Sequence, residues 1–401
     1  METNCAAAKL SMSLGNLASL VLGALVVRRQ AALGRLRHLE LSLELTTDAQ
    51  NSACVHTLLQ EVHAAKGLVK LVLRGSRSTG SKLPKAAALD RGPVAASLKQ
   101  LQFEFVDELV EDHLLPFVSE HLATLEIVQT KSNHATLTAL LASAPRLRKL
   151  GCHMLDNMMT LRGCPSLTSL HLFVDFQDGD QGSRRLAGVE AYLRVATWQL
   201  TRLKLEFAKQ QDQADVVDLV LALGGTRASL RPSTLRCLAL DFSPADLRVR
   251  IGYLPPLQLR PLAAVLHRLP DLRHLNLGGA PSDAFLDAID PQVLPKLVKL
   301  QVYSPHGCTH EWFHTEAVTG VFRRNPRLHL VVESCGCDSV GDEDDSDYES
   351  CAACAKDCCP DEFWEDTCTA AFFSHPDAEP CDWVEIHREG AIVSQSMQVK
   401  V

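Results

Sequence analysis

Two clusters of side chains in this 401-residue chain could hold a metal ion. The first, His310-Glu311-Trp312-Phe313-His314, matches the pattern His-Glu-x-x-His. On a helix that spacing sets two imidazoles on one face, with a carboxylate beside them to activate a metal-bound water. Its setting is poor for catalysis. Ser304-Pro305-His306-Gly307-Cys308 just ahead reads as loop, so the motif at best opens a helix, and the chain carries 16 His among which a match can arise by chance. The expectation is a non-enzyme with no catalytic residue; a metal-dependent hydrolase built on His310, Glu311 and His314 is the alternative. The second cluster is thiol. Cys335-x-Cys337 and Cys351-x-x-Cys354 could place four thiolates around one tetrahedral zinc ion, a structural rather than catalytic site. Cys358, Cys359, Cys368 and Cys381 follow, and disulfides remain open for all eight. No other cofactor is expected. The chain has no glycine-rich phosphate loop and no Gly-x-Ser-x-Gly elbow. With aromatics at 5% and only a slight basic excess in the body, nucleic-acid binding lacks support.

Charge and cysteine divide the chain at the same place. Residues 1–332 carry 37 Lys and Arg against 30 Asp and Glu, whereas residues 333–401 carry 3 against 18. A mildly basic body is thus followed by an acidic, Cys-rich tail, expected to be partly disordered around the run Asp338, Asp342–Asp345, Asp347 and Glu349. That run reads as a solvated linker, or as an internal competitor for basic surface on the body. The body holds six scattered cysteines, Cys5, Cys54, Cys152, Cys164, Cys237 and Cys308, which suits a reducing compartment. Residues 10–27 are apolar but for Asn16 and several Ser, lack a basic leader and a small-residue cleavage site, and are short for a membrane span. Cytoplasm or nucleus is expected, without membrane insertion.

What must position any site is a repeated phrase, Leu-x-x-Leu-x-Leu. It reads Leu36-Leu39-Leu41, Leu68-Leu71-Leu73, Leu98-Leu101-Phe103, Leu122-Leu125-Ile127 and Leu147-Leu150-Cys152, then Leu167-Leu170-Leu172, Leu200-Leu203-Leu205, Leu235-Leu238-Leu240, Leu272-Leu275-Leu277 and Leu297-Leu300-Val302. Weaker copies, Leu17-Leu20-Leu22 and Leu328 with Val331, frame the set. Apolar residues two apart point to one side of a strand. Three buried leucines contribute roughly 4–9 kcal/mol per copy, less than the cost of ordering the whole repeat at about 1–2 kcal/mol per residue. Single copies therefore need neighbours to stack on.

Segments between copies carry helical spacing: His134–Ala144, Ala214–Leu223, Arg260–Leu269, Ser282–Ile289 and Thr315–Arg324. A proline stands two residues before the first Leu in five copies, at Pro145, Pro165, Pro270, Pro295 and Pro326, where it ends one segment and begins the next strand.

Residues 14–332 resemble leucine-rich-repeat proteins of the irregular intracellular sort. Ala-Pro-Arg-Leu-Arg-Lys-Leu (144–150), Cys-Pro-Ser-Leu-Thr-Ser-Leu (164–170) and Leu-Pro-Asp-Leu-Arg-His-Leu (269–275) resemble in particular the repeats of F-box/leucine-rich-repeat substrate receptors. The resemblance implies an α/β solenoid over residues 1–332, eleven or twelve repeats long, with parallel strands on the concave side and helices on the convex side. It further implies substrate recruitment to a cullin–RING ubiquitin ligase through adaptor subunits, although no F-box is recognisable ahead of the first copy. Most copies also lack the family's Asn or Cys after the strand.

In such an array the residues between the inward leucines line the strand face. The column before the second Leu reads His38, Lys70, Gln100, Thr124, Lys149, Ser169, Arg202, Cys237, His274 and Lys299, with four cations and no acid. The expected contacts of a protein ligand are Lys70, Lys149, Arg202, Lys204, His274 and Lys299 for charge, and His153, Phe173 and Tyr303 as rings, since aromatic residues are enriched at binding hot spots.

Overall fold

Alternation at period two becomes strand wherever the leucine phrase is in phase. The computed structural model describes residues 8–45, 49–77, 96–104, 113–175, 179–207, 213–225, 233–241, 259–304, 315–334, 369–373 and 395–398, in two compact units, Met1–Tyr192 and Leu193–Val401. Among these residues the first unit carries β1 (Lys9–Leu14), β2 (His38–Leu45), β3 (Lys70–Arg77), β4 (Gln100–Glu104), β5 (Ile127–Thr130), β6 (Lys149–His153) and β7 (Ser169–Val174). They pair in parallel, in chain order. Helices α1 (Leu17–Ala32), α2 (Ala49–Ala64), α3 (Leu115–His121), α4 (Ala135–Ala142) and α5 (Gly179–Ala196) alternate with them, helped by a 3₁₀ turn at Met158–Gly163. Parallel neighbours in sequential order need crossover connections. Right-handed crossovers repeated in one direction put the helices on one face and leave the other to the strands.

The second unit repeats the scheme. Its strands β8 (Arg202–Phe207), β9 (Cys237–Asp241), β10 (His274–Leu277), β11 (Lys299–Ser304) and β12 (His329–Ser334) are again parallel and sequential. They alternate with α6 (Gln213–Ala222), α7 (Arg260–Val265), α8 (Asp283–Asp287) and α9 (Glu316–Arg324). Two short pieces of the tail join this sheet: β13 (Thr369–Phe373) runs antiparallel to β12, and β14 (Gln395–Gln398) runs parallel to β13. The fold class is thus α/β, with parallel strands alternating with helices.

The core follows from the phrase. Leu39, Leu41, Leu71, Leu73, Leu101, Phe103, Leu150, Cys152, Leu170 and Leu172 are buried beneath the helices of the first unit, as are Leu203, Leu205, Leu238, Leu240, Leu275, Leu277, Leu300 and Val302 in the second. The pre-strand leucines, from Leu36 to Leu328, are buried too. The phased prolines have a defined job. Each sits at the second position of a tight turn whose closing hydrogen bond is donated by the pre-strand Leu: Leu147 N to Ala144 O, Leu167 N to Cys164 O, Leu272 N to Leu269 O, Leu297 N to Leu294 O and Leu328 N to Asn325 O, at 3.0–3.4 Å. Proline pre-sets φ for that position and needs no donor there.

Three copies of the phrase fall differently from the sequence expectation. Leu17-Leu20-Leu22 lies on α1, and the first strand is the preceding Leu10-x-Met12-x-Leu14. Asn16 decides this. Its side chain accepts from Ser19 N at 2.9 Å while Asn16 N donates to Ser19 Oγ at 3.1 Å, a capping box that starts a helix at Leu17. In the fourth copy the strand begins at Ile127, so the phrase in phase is Leu125-x-x-Val128-x-Thr130. The end of α3 runs into a turn, with Thr124 N and Leu125 N both donating to His121 O, and Leu122 is consumed there. Thr130 tolerates its fully buried slot because its Oγ1 accepts from Ser132 N at 3.0 Å. In the last copy Leu330 and Val332 occupy the inward slots, opposite Leu300 and Val302, and Val331 lies abreast of Gln301.

Candidate recognition face

Register brings residues some twenty to forty positions apart in sequence side by side on the strand face. In the first unit His38, Lys70, Gln100, Ile127, Lys149 and Ser169 stand abreast, with Ile127 in the place expected for Thr124. The next column reads Glu40, Val72, Gln102, Gln129, Gly151 and His171. Lys70 and Lys149 are exposed. Arg74 is tied across to Glu40 at 2.6 Å, and Lys131 approaches Glu104 at 3.9 Å.

Three rings gather at one end of this face. His153 stacks on Phe173 with centroids 5.3 Å apart, and His171 meets the same ring at 4.3 Å, tilted. All three are half-buried. Strands β6 and β7 hold them, since His153 is abreast of Phe173 and Gly151 of His171. Gly151 keeps the neighbouring position low. A Cβ there would stand 3.1 Å from Gln129 Cγ on the adjacent strand. Lys149 projects from the same strand. The grouping offers apolar ring surface, hydrogen-bonding imidazoles and a nearby cation, which suits contact with a planar or aliphatic side chain of an acidic segment. The expectation named His153, Phe173 and Lys149. It did not name His171, whose signal was its place two residues before Phe173 on one strand face.

In the second unit most of the expected charge is already engaged. Lys204 lies between Glu206 at 3.1 Å and Asp241 at 3.2 Å. Burial pulls its ammonium pKa down, but the two carboxylates outweigh that and hold it above the ordinary lysine value. Arg202 is half-buried. His274 Nδ1 stands 3.6 Å from Cys237 Sγ on the adjacent strand, so the imidazole closes against its own neighbour. Lys299 is buried, only 5% exposed. Tyr303 is on β11, with its side chain outside the described residues.

The remaining chemistry of the sequence lies elsewhere or is spent. His310, Glu311 and His314, the zinc candidates Cys335, Cys337, Cys351 and Cys354, and the acidic run 338–349 fall outside the described residues. Among the described residues no group of three or more His, Cys, Asp or Glu is arranged to hold a metal ion. Cys54, Cys152, Cys164 and Cys237 are thiols rather than half-cystines. Burial raises the pKa of Cys152 and Cys164, so neither thiol is an activated nucleophile. A cleft of about 510 Å³ on the helix side of the first unit is lined by Ala135, Asp156, Asn157, Asp180, Arg184 and Arg185. Its buried Arg185 is bound to Asp156 at 2.9 Å, a pair that joins the chain after β6 to α5. No described helix is long and apolar enough to cross a membrane. Compared with known proteins, the chain matches no family model and no curated sequence.

Proposed function

We propose that this chain is a non-catalytic, leucine-rich-repeat recognition protein that grips another polypeptide on its strand face. In its most specific form it is a substrate receptor that works with adaptor subunits of a cullin–RING ubiquitin ligase. The observation that carries the reading is the ring cluster of His153, His171 and Phe173 beside the exposed Lys149. These side chains come from two strands, lie on the face that the helices leave uncovered, and are not needed to fill the core. The resemblance of segments 144–150, 164–170 and 269–275 to F-box/leucine-rich-repeat repeats supports the ubiquitin-ligase form.

The test is affinity capture with the wild-type chain and with Phe173→Ala and Lys149→Glu variants, each checked for native circular dichroism. Proteins retained by the wild type should be lost at least about tenfold from Phe173→Ala, the size expected of a hot-spot ring. Retention that both variants leave intact sinks the assignment of this face. Captured material without any cullin-ligase adaptor removes the ubiquitin form and leaves general recognition standing.

A further inference from the structure

Strand alternation leaves a thiol and an imidazole of the second unit facing each other outside the core. On β9, Leu238 and Leu240 go inward and Cys237 goes outward, half-buried. On β10, Leu275 and Leu277 go inward and His274 goes outward, also half-buried. The register sets the two abreast and brings Cys237 Sγ to 3.6 Å from His274 Nδ1, within hydrogen-bonding reach for sulfur. With its proton on Nε2, the imidazole offers Nδ1 as acceptor for the thiol proton.

The surroundings are cationic. Four consecutive strands put Arg202, Cys237, His274 and Lys299 in one row, neighbours standing about 4.8 Å apart. On β12 the buried His329 extends that row. The next row on these four strands carries Lys204 and no acid. Exposed Arg236 and Arg273 stand immediately before Cys237 and His274 in the chain. The carboxylates of β8 and β9, Glu206 and Asp241, are a further row away and bind Lys204, and Asp271 ahead of β10 binds Lys296. A thiol beside an imidazole and among cations favours the thiolate–imidazolium form. Cys152 and Cys164 lie in the core of the first unit, where burial keeps their thiols protonated.

We propose that Cys237 and His274 form a nucleophilic thiol–imidazole pair, and that Cys237 is a site of oxidation by peroxide on the strand face. His274 takes the thiol proton. The sulfur then attacks one oxygen of hydrogen peroxide, so that an S–O bond forms as the O–O bond breaks. The departing hydroxide takes the proton from the imidazolium and leaves as water. Sulfur is oxidised to sulfenic acid and peroxide is reduced. The site stands independently of what the strand face binds.

The experiment is timed alkylation of the reduced full chain with limiting iodoacetamide, read at each cysteine by peptide mass spectrometry. Cys54, half-buried on α2, is the internal comparison. An ordinary thiol is only about 3% ionised at pH 7. A full thiolate gains roughly thirtyfold in population and gives back part of that in nucleophilicity, so Cys237 should react about tenfold faster than Cys54. Between pH 7 and pH 6 it should keep most of its rate, whereas that of Cys54 should fall about tenfold. His274→Gln, checked by circular dichroism, should slow Cys237 about tenfold at pH 7 and leave Cys54 unchanged. With hydrogen peroxide and dimedone in place of iodoacetamide, Cys237 should be the first of Cys54, Cys152, Cys164 and Cys237 to carry the sulfenic-acid adduct. A Cys237 rate no higher than that of Cys54 overturns the proposal without recourse to any variant. An unchanged rate in His274→Gln overturns the pairing, and peroxide that marks Cys54 before Cys237 overturns the oxidation site.

Discussion

The phase of the fourth strand can be tested by two conservative truncations one residue apart. Val128 is fully buried beneath the helices, abreast of Leu101 and Leu150, whereas Ile127 is half-buried on the strand face between Gln100 and Lys149. Val128→Ala removes two methyl groups from a site with no solvent, at about 0.8 kcal/mol each for transfer, and leaves a cavity, for a total of about 2–3 kcal/mol. Ile127→Ala removes more carbon but from a place that water already reaches, so its cost is about 1 kcal/mol. For a unit of this size each kcal/mol lowers the melting midpoint by about 2–4 °C. Val128→Ala should therefore melt roughly 4–12 °C lower than the wild type and Ile127→Ala roughly 2–4 °C lower. Thermal melts followed by circular dichroism give the order directly, and urea midpoints give it independently. An Ile127→Ala variant as unstable as Val128→Ala, or more so, refutes the assigned phase. It would return the core to Leu122-Leu125-Ile127.

Other outcomes follow from single groups. His121 Nδ1 accepts from Ser97 N at 3.3 Å, and burial holds its pKa below the ordinary 6.5. The unfolded chain binds this proton first, so stability is full above about pH 6.5 and falls as pH drops through the depressed folded value. His121→Asn keeps an acceptor near Nδ1 and should flatten that acid limb in pH-dependent urea titrations; an unchanged limb assigns it to other groups. The Tyr192 hydroxyl is buried without a hydrogen-bond partner among the described residues, and burial, with the Cys164 and Cys152 thiols nearby, raises its pKa. Tyr192→Phe should match the wild type or gain about 1 kcal/mol, and a comparable loss in denaturation would show that the hydroxyl is bonded. Asn16→Ala should cost about 1 kcal/mol by opening the capping box of α1, whereas a neutral result by the same assay would mean that α1 starts without it. A tail zinc on Cys335, Cys337, Cys351 and Cys354 should give purified protein whose metal survives His310→Ala and is lost with Cys351→Ser; the reverse pattern would favour the hydrolase site.

The recurrent leucine phrase determined on its own that the chain builds parallel strands alternating with helices. Period two admits one inward face, and a phased proline before the pre-strand leucine admits one kind of turn. Cys152 was legible as core for the same reason, since it stands where Leu172 stands one strand later. Phase was not always legible. Leu122-x-x-Leu125-x-Ile127 fits the phrase better by type than Leu125-x-x-Val128-x-Thr130, and the packed end of α3 nevertheless selects the second. At the amino end, apolar spacing allowed a strand at Leu17, but the reciprocal bonds of Asn16 and Ser19 made a helix.

Site residues divide in the same way. Sequence spacing located His153 and Phe173 on a strand face, yet their meeting across 5.3 Å belongs to the register between β6 and β7, a long-range pairing that no local pattern encodes. Burial of Lys299 and capture of Lys204 by Glu206 and Asp241 likewise depend on neighbours distant in the chain. Local sequence sets which way a side chain points, because that depends on the period of its own element. What it then touches is set by the neighbouring strand or helix, and only tertiary packing supplies that neighbour.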